Sequence, residues 1–569
     1  MATYYVATTG NDSNTTVQAQ SSSTPWKTIQ HAIDTVPTGS EITVAAGTYV
    51  EPAYGYLYFN ATHNGKTYTI KGEGTYQTYT VTHNGKTFIR RRSGSGVKIV
   101  TPSNYYTVRF YNGMATGSVT FDNIEFVPAG GSYGEFYGIF SIIANSGTAS
   151  SVNLTVKNCT ITPYVGMTYM LKVDNSTTPN TTRQIEFDHC EITRGYHIFY
   201  MQEGNELYVH DCQITNGGDS KIFFTNPSSA ANYSLTNVYV DDNIIDAPNY
   251  HCMSTWYRSG ETLYHTAISQ LRMRGNSIKC GGYGLSVFEA IDNLVLEDNI
   301  VIAKCMLADL ASGAEPNFEL GYYNSPIPTT YPIKRAIVRN NVLGRDPASD
   351  DNECHSLQIN QQIVGADISG NTLHGSTTYQ LQVSGSYNRV HRNVITGGRG
   401  ISFAGGSQNL VDHNSLAVTG TYGITWTNIT VSDSSTITPD NNIFENNIVV
   451  GGSNTTLLYD NNGNSRNIKI NNNCYYGGVH LAYLGGVNYD TLSTLKAKWS
   501  TYSTCFTDND DESIVENPQF DSQYHVHNPY FWDKDFGAWQ PTIPINSIVG
   551  GSRARRVYIA GVPLSEIGL

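Results

Sequence analysis

One short pattern recurs along most of the chain: Asn or Cys, then any residue, then Ile, Leu or Val. Successive copies are separated by 21 to 42 residues. A fixed motif with a period of about 20 to 50 residues is typical of solenoids, in which each repeat packs only against its neighbours. The central residues of the pattern are Cys159, Cys190, Cys212, Asn243, Asn276, Asn299, Asn341, Asn371, Asn393, Asn414 and Asn447, with a weaker copy at Asn473.

The segments beside the pattern indicate what kind of solenoid this is. They are short, rich in β-branched and aromatic residues and bounded by glycines, which is typical of buried strands. The sequence therefore predicts an all-β fold, a single-stranded right-handed parallel β-helix of about 12–13 coils with an N-terminal helical cap and a C-terminal cap. Each coil takes about 22 residues, and successive coils stack about 4.8 Å apart.

The residue at the centre of the pattern has its own structural role. An Asn at a tight turn tolerates the left-handed conformation and can hydrogen-bond to the equivalent Asn one coil away, which predicts an internal asparagine ladder. Asn is unusually frequent, with 52 residues, and the ladder explains part of that excess. At Cys159, Cys190 and Cys212 thiols replace the amides. We expect packed free thiols there, because Cys is commonly buried and no Cys-x-x-Cys pair suggests zinc.

The chain outside the regular coils divides into recognisable parts. We assign residues 1–50 to an N-terminal cap with its first strand, 51–100 to a β-hairpin insertion, 101–480 to the β-helix and 481–569 to a C-terminal cap and tail. Residues 26–33 and 492–499 are expected to form short helices. The segment Thr-His-Asn-Gly-Lys-Thr occurs at 62–67 and again at 82–87. Because Asn-Gly between strand-like runs favours a hairpin, this repeat predicts two hairpins.

The charge and composition of the chain disfavour several classes of binding partner. The formal net charge is −13, which disfavours nucleic acid or an anionic membrane as the main partner, and a polyanionic substrate would need a local basic patch. Only 14% of the residues are charged, and no apolar run is long enough for a transmembrane helix. The first residues lack the basic and apolar regions of a signal peptide, so none is expected in this sequence.

Several segments together carry a family resemblance. Residues 25–33 read Pro-Trp-Lys-Thr-Ile-Gln-His-Ala-Ile, residues 517–520 read Asn-Pro-Gln-Phe and residues 535–540 read Asp-Phe-Gly-Ala-Trp-Gln. With the Asn-x-Ile coils, they resemble the pectate-lyase-like superfamily of right-handed β-helix proteins. The resemblance implies the fold, and it implies a polysaccharide lyase, a glycoside hydrolase, a sugar epimerase or a phage tailspike depolymerase. Some members are adhesins, and no sharper family motif transfers a catalytic role to a residue here.

Candidate catalytic residues follow from their distance to the ladder. Glu203 and Glu289 each lie 13 residues after a ladder position, and Asp309 lies 10 after one. Equal offsets predict one column of carboxylates on one face, in a groove across residues 200–360. Two carboxylates on neighbouring coils can act as acid and base in glycoside hydrolysis.

A lyase needs a base next to a uronate and a cation that neutralises its carboxylate. His251, Lys221 and Arg258 are the candidates for these roles, and His355 is a weaker one. No metal ligand is assigned, although the acidic residues 508–512 offer oxygen atoms of the kind that Ca²⁺ prefers. Aromatic side chains suit pyranose rings. The candidates for substrate binding are Trp256, Tyr257, Tyr322, Tyr323 and Trp426.

These observations lead to one functional prediction and its rival. We expect a carbohydrate-active enzyme that degrades a polysaccharide as a lyase or a glycoside hydrolase, with the polysaccharide as partner and neither nucleic acid nor membrane. A phage tailspike-type depolymerase is one form of this prediction, and such proteins usually form homotrimers. The expected location is extracellular or on a virion surface. The alternative is a non-catalytic glycan-binding or structural β-helix protein.

Overall fold

The computed structural model describes residues 1–51, 56–101, 106–110, 114, 116–128, 138–144, 151–162, 169–175, 183–193, 197–201, 205–215, 223–225, 233–247, 252–254, 257–259, 262–264, 266–282, 284–287, 291–303, 318–320, 333, 335–346, 355–361, 363–375, 378–430, 436–460, 467–499, 512–520, 526, 528, 536–537, 558–559 and 562–563. The chain divides into two compact units, Met1–Asn293 (unit 1) and Leu294–Leu569 (unit 2).

Unit 1 contains three parallel sheets, and each coil adds one strand to each of them in turn. Sheet 1 contains Thr3–Val6, Ser40–Val44, Lys66–Gly72, Thr116–Asp122, Ser151–Lys157, Arg183–Asp188, Asn205–His210, Tyr233–Asp241 and Thr266–Arg274. Sheet 2 contains Gly47–Tyr49, Val97–Thr101, Glu125–Pro128, Thr160–Ile161, Glu191–Thr193, Gln213–Thr215, Ile244–Ala247 and Ser277–Cys280. Sheet 3 contains Leu57–Phe59, Val108–Phe110, Phe140–Ala144, Tyr169–Asn175, His197–Met201, Phe223–Thr225, Met253–Ser254 and Leu285–Val287.

Unit 2 repeats this order of sheets. Sheet 1 contains Ile291–Glu297, which crosses the unit boundary, and Ala336–Arg339, Asp367–Ser369, Arg389–His391, Leu410–Asp412, Ile443–Glu445 and Lys469–Asn471. Sheet 2 contains Ile300–Ala303, Val342–Arg345, Thr372–His374, Val394–Gly397, Ser415–Val418, Ile448–Gly451, Cys474–Gly477 and Ile514–Val515. Sheet 3 contains Phe318–Leu320, Leu357–Ile359, Tyr379–Val383, Arg399–Ala404, Tyr422–Thr427, Thr456–Asp460, His480–Leu484 and the antiparallel Val487–Tyr489.

The remaining elements are few. Antiparallel pairs join Gln77–His83 to Lys86–Arg92, Tyr257–Ser259 to Thr262–Tyr264, Ile429–Thr430 to Thr436–Ile437 and Tyr558–Ile559 to Val562–Pro563. The helices are Gln18–Gln20, Ile29–Thr35, Ala61–His63 and Leu492–Trp499. Among the residues described, none of these helices has the length and apolar character needed to cross a membrane. The predicted parallel β-helix is confirmed.

The ladder is present in both units. In unit 2, Asn393 Nδ2 donates to Asn414 Oδ1 at 2.9 Å, while Asn393 Oδ1 accepts from Asn371 Nδ2 at 2.9 Å. All three side chains are fully buried, so each amide hydrogen-bonds to the next coil in place of water. In unit 1, Cys159, Cys190 and Cys212 continue the same position as buried free thiols, as expected.

One detail of the expected ladder is wrong. The left-handed residue is not the ladder Asn but the residue before it, such as Arg392 with φ 56° and His413 with φ 57°. Two successive residues therefore form the turn between sheets 1 and 2, the left-handed residue and the ladder residue that follows it. The first reverses the chain, and the second, such as Asn393, turns its amide inward.

A second ladder, which the sequence pattern did not predict, lies between sheets 3 and 1 of unit 2. The backbone N–H of Asn388 donates to Asn409 Oδ1 at 2.9 Å, and Asn409 Nδ2 donates to Asn442 Oδ1 at 3.0 Å. The residues before them are again left-handed, with φ 60° at Tyr387 and 55° at Gln408. Two corners of these coils are thus held by buried amides.

Of the two predicted hairpins, one exists. The copy at 82–87 forms the turn between Gln77–His83 and Lys86–Arg92, as predicted. The copy at 62–67 does not, because Lys66–Gly72 pairs in parallel with Ser40–Val44 and Thr116–Asp122. The reason is burial, since Tyr68 and Ile70 of this strand are completely covered in the core.

The observed hairpin lies along the outside of several coils of unit 1. Lys86 Nζ donates to the backbone oxygen of Gly275 at 2.6 Å, and Tyr79 Oη donates to Gln213 Oε1 at 3.1 Å. Near the other end, the backbone N–H of Ser93 donates to Thr160 Oγ1 at 3.1 Å. Bonds at Thr160, Gln213 and Gly275 connect coils that are far apart in sequence, so the hairpin acts as a strap across the stack.

Both predicted helices are present in the structure. The helix Leu492–Trp499 is found as predicted. The N-terminal helix is Ile29–Thr35 and begins later than expected, because the side chain of Thr28 accepts from the backbone N–H of His31 and caps it. Trp26 instead forms a parallel bridge with Val6.

We predict that Asn393→Ala lowers the free energy of unfolding by about 2–3 kcal/mol, because the backbone N–H and one side-chain N–H of buried Asn371 lose their acceptor. The matched control is Asn488→Ala, since Asn488 is exposed on the strand Val487–Tyr489. Urea unfolding of both variants checks this. Equal midpoints for the two variants would show that the ladder adds no stability.

Candidate functional site

The outer face of sheet 3 in unit 2 carries an unusual polar column. Leu381 and Val383 point into the core and are fully buried, so Gln382 between them faces outward. The register places Gln382 beside Gln358 in the preceding coil and beside Ser402 in the next. These three outward side chains are no more than 6% exposed. A polar surface that is covered in this way needs other side chains above it.

Outward side chains of sheet 3 form a row, which we name the tyrosine–arginine row: Tyr379, Arg399, Tyr422, Tyr459 and Tyr483. The first three begin their strands, whereas Tyr459 and Tyr483 lie near the ends of theirs. The guanidinium carbon of Arg399 lies 5.4 Å from the ring centroids of both Tyr379 and Tyr422. The rings of Tyr422 and Tyr459 lie 4.1 Å apart, and those of Tyr459 and Tyr483 stack at 5.2 Å. All five side chains are half-buried, so one side of the row is open to solvent.

The charge of Arg399 sets it apart. Within the described part of the chain, no carboxylate forms an ion pair with Arg399, whereas Arg389 binds Asp412 with two nitrogens at 3.1 and 2.8 Å. A guanidinium between aromatic rings is held by cation–π attraction and keeps its outer N–H groups available. The row therefore offers aromatic faces around one cation, whose charge no described carboxylate neutralises through an ion pair.

The titrating groups near the row have shifted pKa values. Burial raises the pKa of Tyr459 to about 12 and also raises the pKa of Tyr379. Both phenols are therefore protonated at neutral pH and act as hydrogen-bond donors, not as bases. Burial lowers the pKa of His355 to about 4, with the charge of Arg399 adding to the effect. The imidazole of His355, which stacks with Tyr379 at 6.4 Å, is neutral at pH 7.

The residues predicted from the ladder offsets, Glu203, Glu289 and Asp309, lie outside the described residues. Tyr257 and Arg258 lie on the strand Tyr257–Ser259, where Arg258 pairs with Leu263. The roles assigned to these residues stay predictions. The candidates outside the described residues are Glu203, Lys221, His251, Trp256, Glu289, Asp309, Tyr322 and Tyr323, together with most of the acidic segment 508–512.

One aromatic candidate is wrong. Trp426 is only 1% exposed and stacks on Phe403 with centroids 6.3 Å apart, so it belongs to the core and cannot face a sugar. His355 was the weaker basic candidate, and the structure places it at the end of the row. Its Nδ1 lies 3.0 Å from the backbone oxygen of Tyr379.

The sequence contains a signal for the row at two other offsets from the ladder. Tyr379 and Tyr422 each lie 8 residues after a ladder Asn, Asn371 and Asn414, and Arg399 lies 6 after Asn393. Tyr379 and Arg399 lie in compact coils of 22 and 21 residues between ladder positions, whereas the predicted groove lay in the coils with long insertions. The offsets in these successive coils indicate two tyrosines around an arginine.

The family can be assigned from the sequence. Residues 137–319 and 349–494 match the family described as "Right handed beta helix region", and together they cover more than half of the chain. The chain belongs to this family. Its three parallel sheets and stacked turns agree with this assignment. Comparison with curated proteins finds no match.

Several solved structures resemble this β-helix protein weakly. XylC in complex with xylose is 10% identical, with 91% of this chain and 87% of that chain covered and a TM-score of 0.28. An alginate lyase is 10% identical, with 86% and 92% covered and a TM-score of 0.27. A rhamnogalacturonan lyase is 12% identical, with 80% and 84% covered and a TM-score of 0.22. Scores this low carry no argument about activity.

We predict that neutral His355 makes the protein less stable in acid. Its pKa is about 4 in the folded chain and about 6.5 when unfolded, so the unfolded state binds the extra proton between these values. The free energy of unfolding should therefore fall as the pH falls from 6.5 to 4. In His355→Gln the free energy of unfolding should fall less over this pH range. In His480→Gln, a control on the same sheet, it should fall as much as in the wild type. Parallel pH profiles for wild type and His355→Gln would contradict the assignment.

Proposed function

We propose that the protein binds an acidic polysaccharide along the tyrosine–arginine row and cleaves it by elimination. The observation that carries this proposal is Arg399, which lies between the rings of Tyr379 and Tyr422 with no carboxylate partner among the described residues. A polymer of uronates matches both features, because its rings present apolar faces to tyrosine and its carboxylates can pair with a guanidinium.

The chemistry of elimination fits the same groups. A base removes the proton next to the uronate carboxylate, and a cation must stabilise the charge that develops on that carboxylate. Arg399 has the charge and the geometry for the second role. The neutral imidazole of His355 has the protonation state that the first role needs. The protonated phenol of Tyr379 or Tyr459 can donate a hydrogen bond or a proton to the leaving oxygen.

Hydrolysis makes a different demand on the protein. It needs two carboxyl groups about 5–10 Å apart around the scissile bond. The carboxylates proposed for that role are Glu203, Glu289 and Asp309, and the row itself supplies a cation and phenols instead. The row alone therefore favours elimination. Binding without cleavage is the remaining alternative, and it is decided by measurement.

Arg399→Gln should weaken binding of a polyuronate at least tenfold and abolish its cleavage, because the carboxylate loses its charged partner. The control is Arg335→Gln, which removes the same charge from an exposed position in the same unit. Binding to immobilised polyuronates and to a neutral glucan is measured, and cleavage is followed by the ultraviolet absorbance of the unsaturated product.

The outcomes separate the alternatives. Absorbance with loss in Arg399→Gln supports elimination at the row. New reducing ends without absorbance identify a hydrolase and contradict the proposed reaction. Binding that depends on Arg399 without any cleavage leaves a glycan-binding protein. Unchanged polyuronate binding in Arg399→Gln would remove the row as the binding site.

For the hydrolytic alternative, we propose that the carboxylates predicted from the ladder act in catalysis in place of the row. Glu289→Gln and Asp309→Asn should each abolish cleavage of the polysaccharide with little change in the thermal midpoint, because the amide keeps the size of the side chain but not its charge. Assays as above, with the midpoint measured on the same samples, check this. Full activity in both variants would exclude these residues.

A further inference from the structure

A second group of titratable side chains lies on the outer face of sheet 1 in unit 1. Asp188 and His210 are register partners on the strands Arg183–Asp188 and Asn205–His210. Asp211 follows at the corner, with φ 56°. One ligand atom from each of these three residues lies within 4.8 Å of the other two, and all three side chains are half-buried. We name this group the Asp–His cluster.

The spacing of the donor atoms fits a shared ion. His210 Nδ1 lies 3.4 Å from Asp188 Oδ1 and 3.2 Å from Asp211 Oδ2. Ligand atoms about 2.1 Å from a metal are about 3.0 Å apart at octahedral positions and about 3.4 Å apart at tetrahedral ones. The two distances from His210 Nδ1 to the aspartate oxygens lie within this range.

The distal nitrogen of the imidazole gives an independent indication. His210 Nε2 lies 3.2 Å from Glu186 Oε1, and Glu186 Oε2 accepts from Thr155 Oγ1 at 3.3 Å. A metal-bound histidine nearly always donates its other ring N–H to a carboxylate or a carbonyl, which fixes the tautomer that leaves the first nitrogen for the metal. Glu186, itself held by Thr155, is placed for that purpose.

Several charged side chains surround the cluster. Asp241, one coil further, is bound by Arg272 and is not available as a ligand. Arg90 of the hairpin lies 3.9 Å from Asp211 Oδ1, the oxygen that does not face His210. His189 Nδ1 contacts Asp188 Oδ1, the same oxygen that faces His210, so an ion that uses this oxygen must displace that contact or bind through Asp188 Oδ2. A cleft of about 250 Å³ reaches His210 and Asp211 from solvent.

Without an ion, the imidazole of His210 binds an additional proton. Hydrogen bonds to Asp211 and Glu186 outweigh burial and raise the pKa of His210 to about 10.

We propose that Asp188, His210 and Asp211 bind one divalent transition-metal ion of the Zn²⁺ class, with Glu186 orienting the imidazole. One nitrogen and two oxygens suit such an ion, whereas Mg²⁺ prefers oxygen alone. The site lies in unit 1 and is independent of the polysaccharide activity proposed for unit 2.

The test is calorimetric titration of the full, tag-free chain with Zn²⁺, and with Mg²⁺ for comparison. We expect saturable binding of one Zn²⁺ per chain and none of Mg²⁺. Asp188→Asn and Asp211→Asn should each weaken Zn²⁺ binding at least tenfold, and Glu186→Gln by about tenfold. Circular dichroism of each variant shows that it is folded.

The chain supplies a matched control. Asp412 and His413 repeat the local arrangement of Asp188 and His189, with His413 Nδ1 2.9 Å from Asp412 Oδ2, but Arg389 already binds that carboxylate. Asp412→Asn should therefore keep the Zn²⁺ affinity of the wild type. No saturable Zn²⁺ binding, or equal affinity in folded Asp188→Asn, Asp211→Asn and wild type, would overturn the site. Lack of polysaccharide cleavage would not.

Discussion

The hydrogen bond between stacked side-chain amides is the constraint on which the rest of unit 2 depends. Each ladder oxygen accepts from both the backbone N–H and the side-chain Nδ2 of the Asn one coil earlier, as Asn414 Oδ1 does from Asn393 at 3.0 and 2.9 Å. A shift of one residue would break both bonds and bury the amide without a partner, which costs more than most single contacts contribute. The ladder therefore fixes where each coil turns.

A fixed turn sets the register of everything that follows in the coil. Because successive side chains on a strand alternate between faces, a coil that begins correctly sends Leu381, Ile401 and Ile424 inward in one column. The outward positions are then aligned as well, without contributing to the core. Tyr379, Arg399 and Tyr422 could be aligned along the stack only because three successive coils turn at the same point. The alignment of the tyrosine–arginine row therefore depends on the ladder.

The fold could be predicted because its cause is local and repeated. Asn-x-Ile at each corner encodes the turn, the ladder and the first buried residue, so the motif alone indicated the coils and the sheets. The hairpin at 62–67 shows where local signals fail, since its Asn-Gly is identical to that at 82–87 and only the burial of Tyr68 and Ile70 decides between them. Trp426 fails for a similar reason: an aromatic residue on a strand fits either face, and the register of Phe403 against it decides. The row was not predicted because the candidate residues were taken from the coils with long insertions, whereas Tyr379 and Arg399 lie in compact ones.

Arg399 differs from Arg272, Arg339 and Arg389 in what lies against its guanidinium group. An arginine on a β-helix face usually gains little by remaining unpaired, and Arg272, Arg339 and Arg389 each lie against an acidic residue of a neighbouring coil, Asp241, Glu297 and Asp412. With 47 acidic residues against 34 basic ones, partners are plentiful. Arg399 lies between two phenol rings instead, where aromatic faces hold the guanidinium without neutralising it. In a chain with an excess of carboxylates, a cation held in this way retains its capacity to bind an anion from outside.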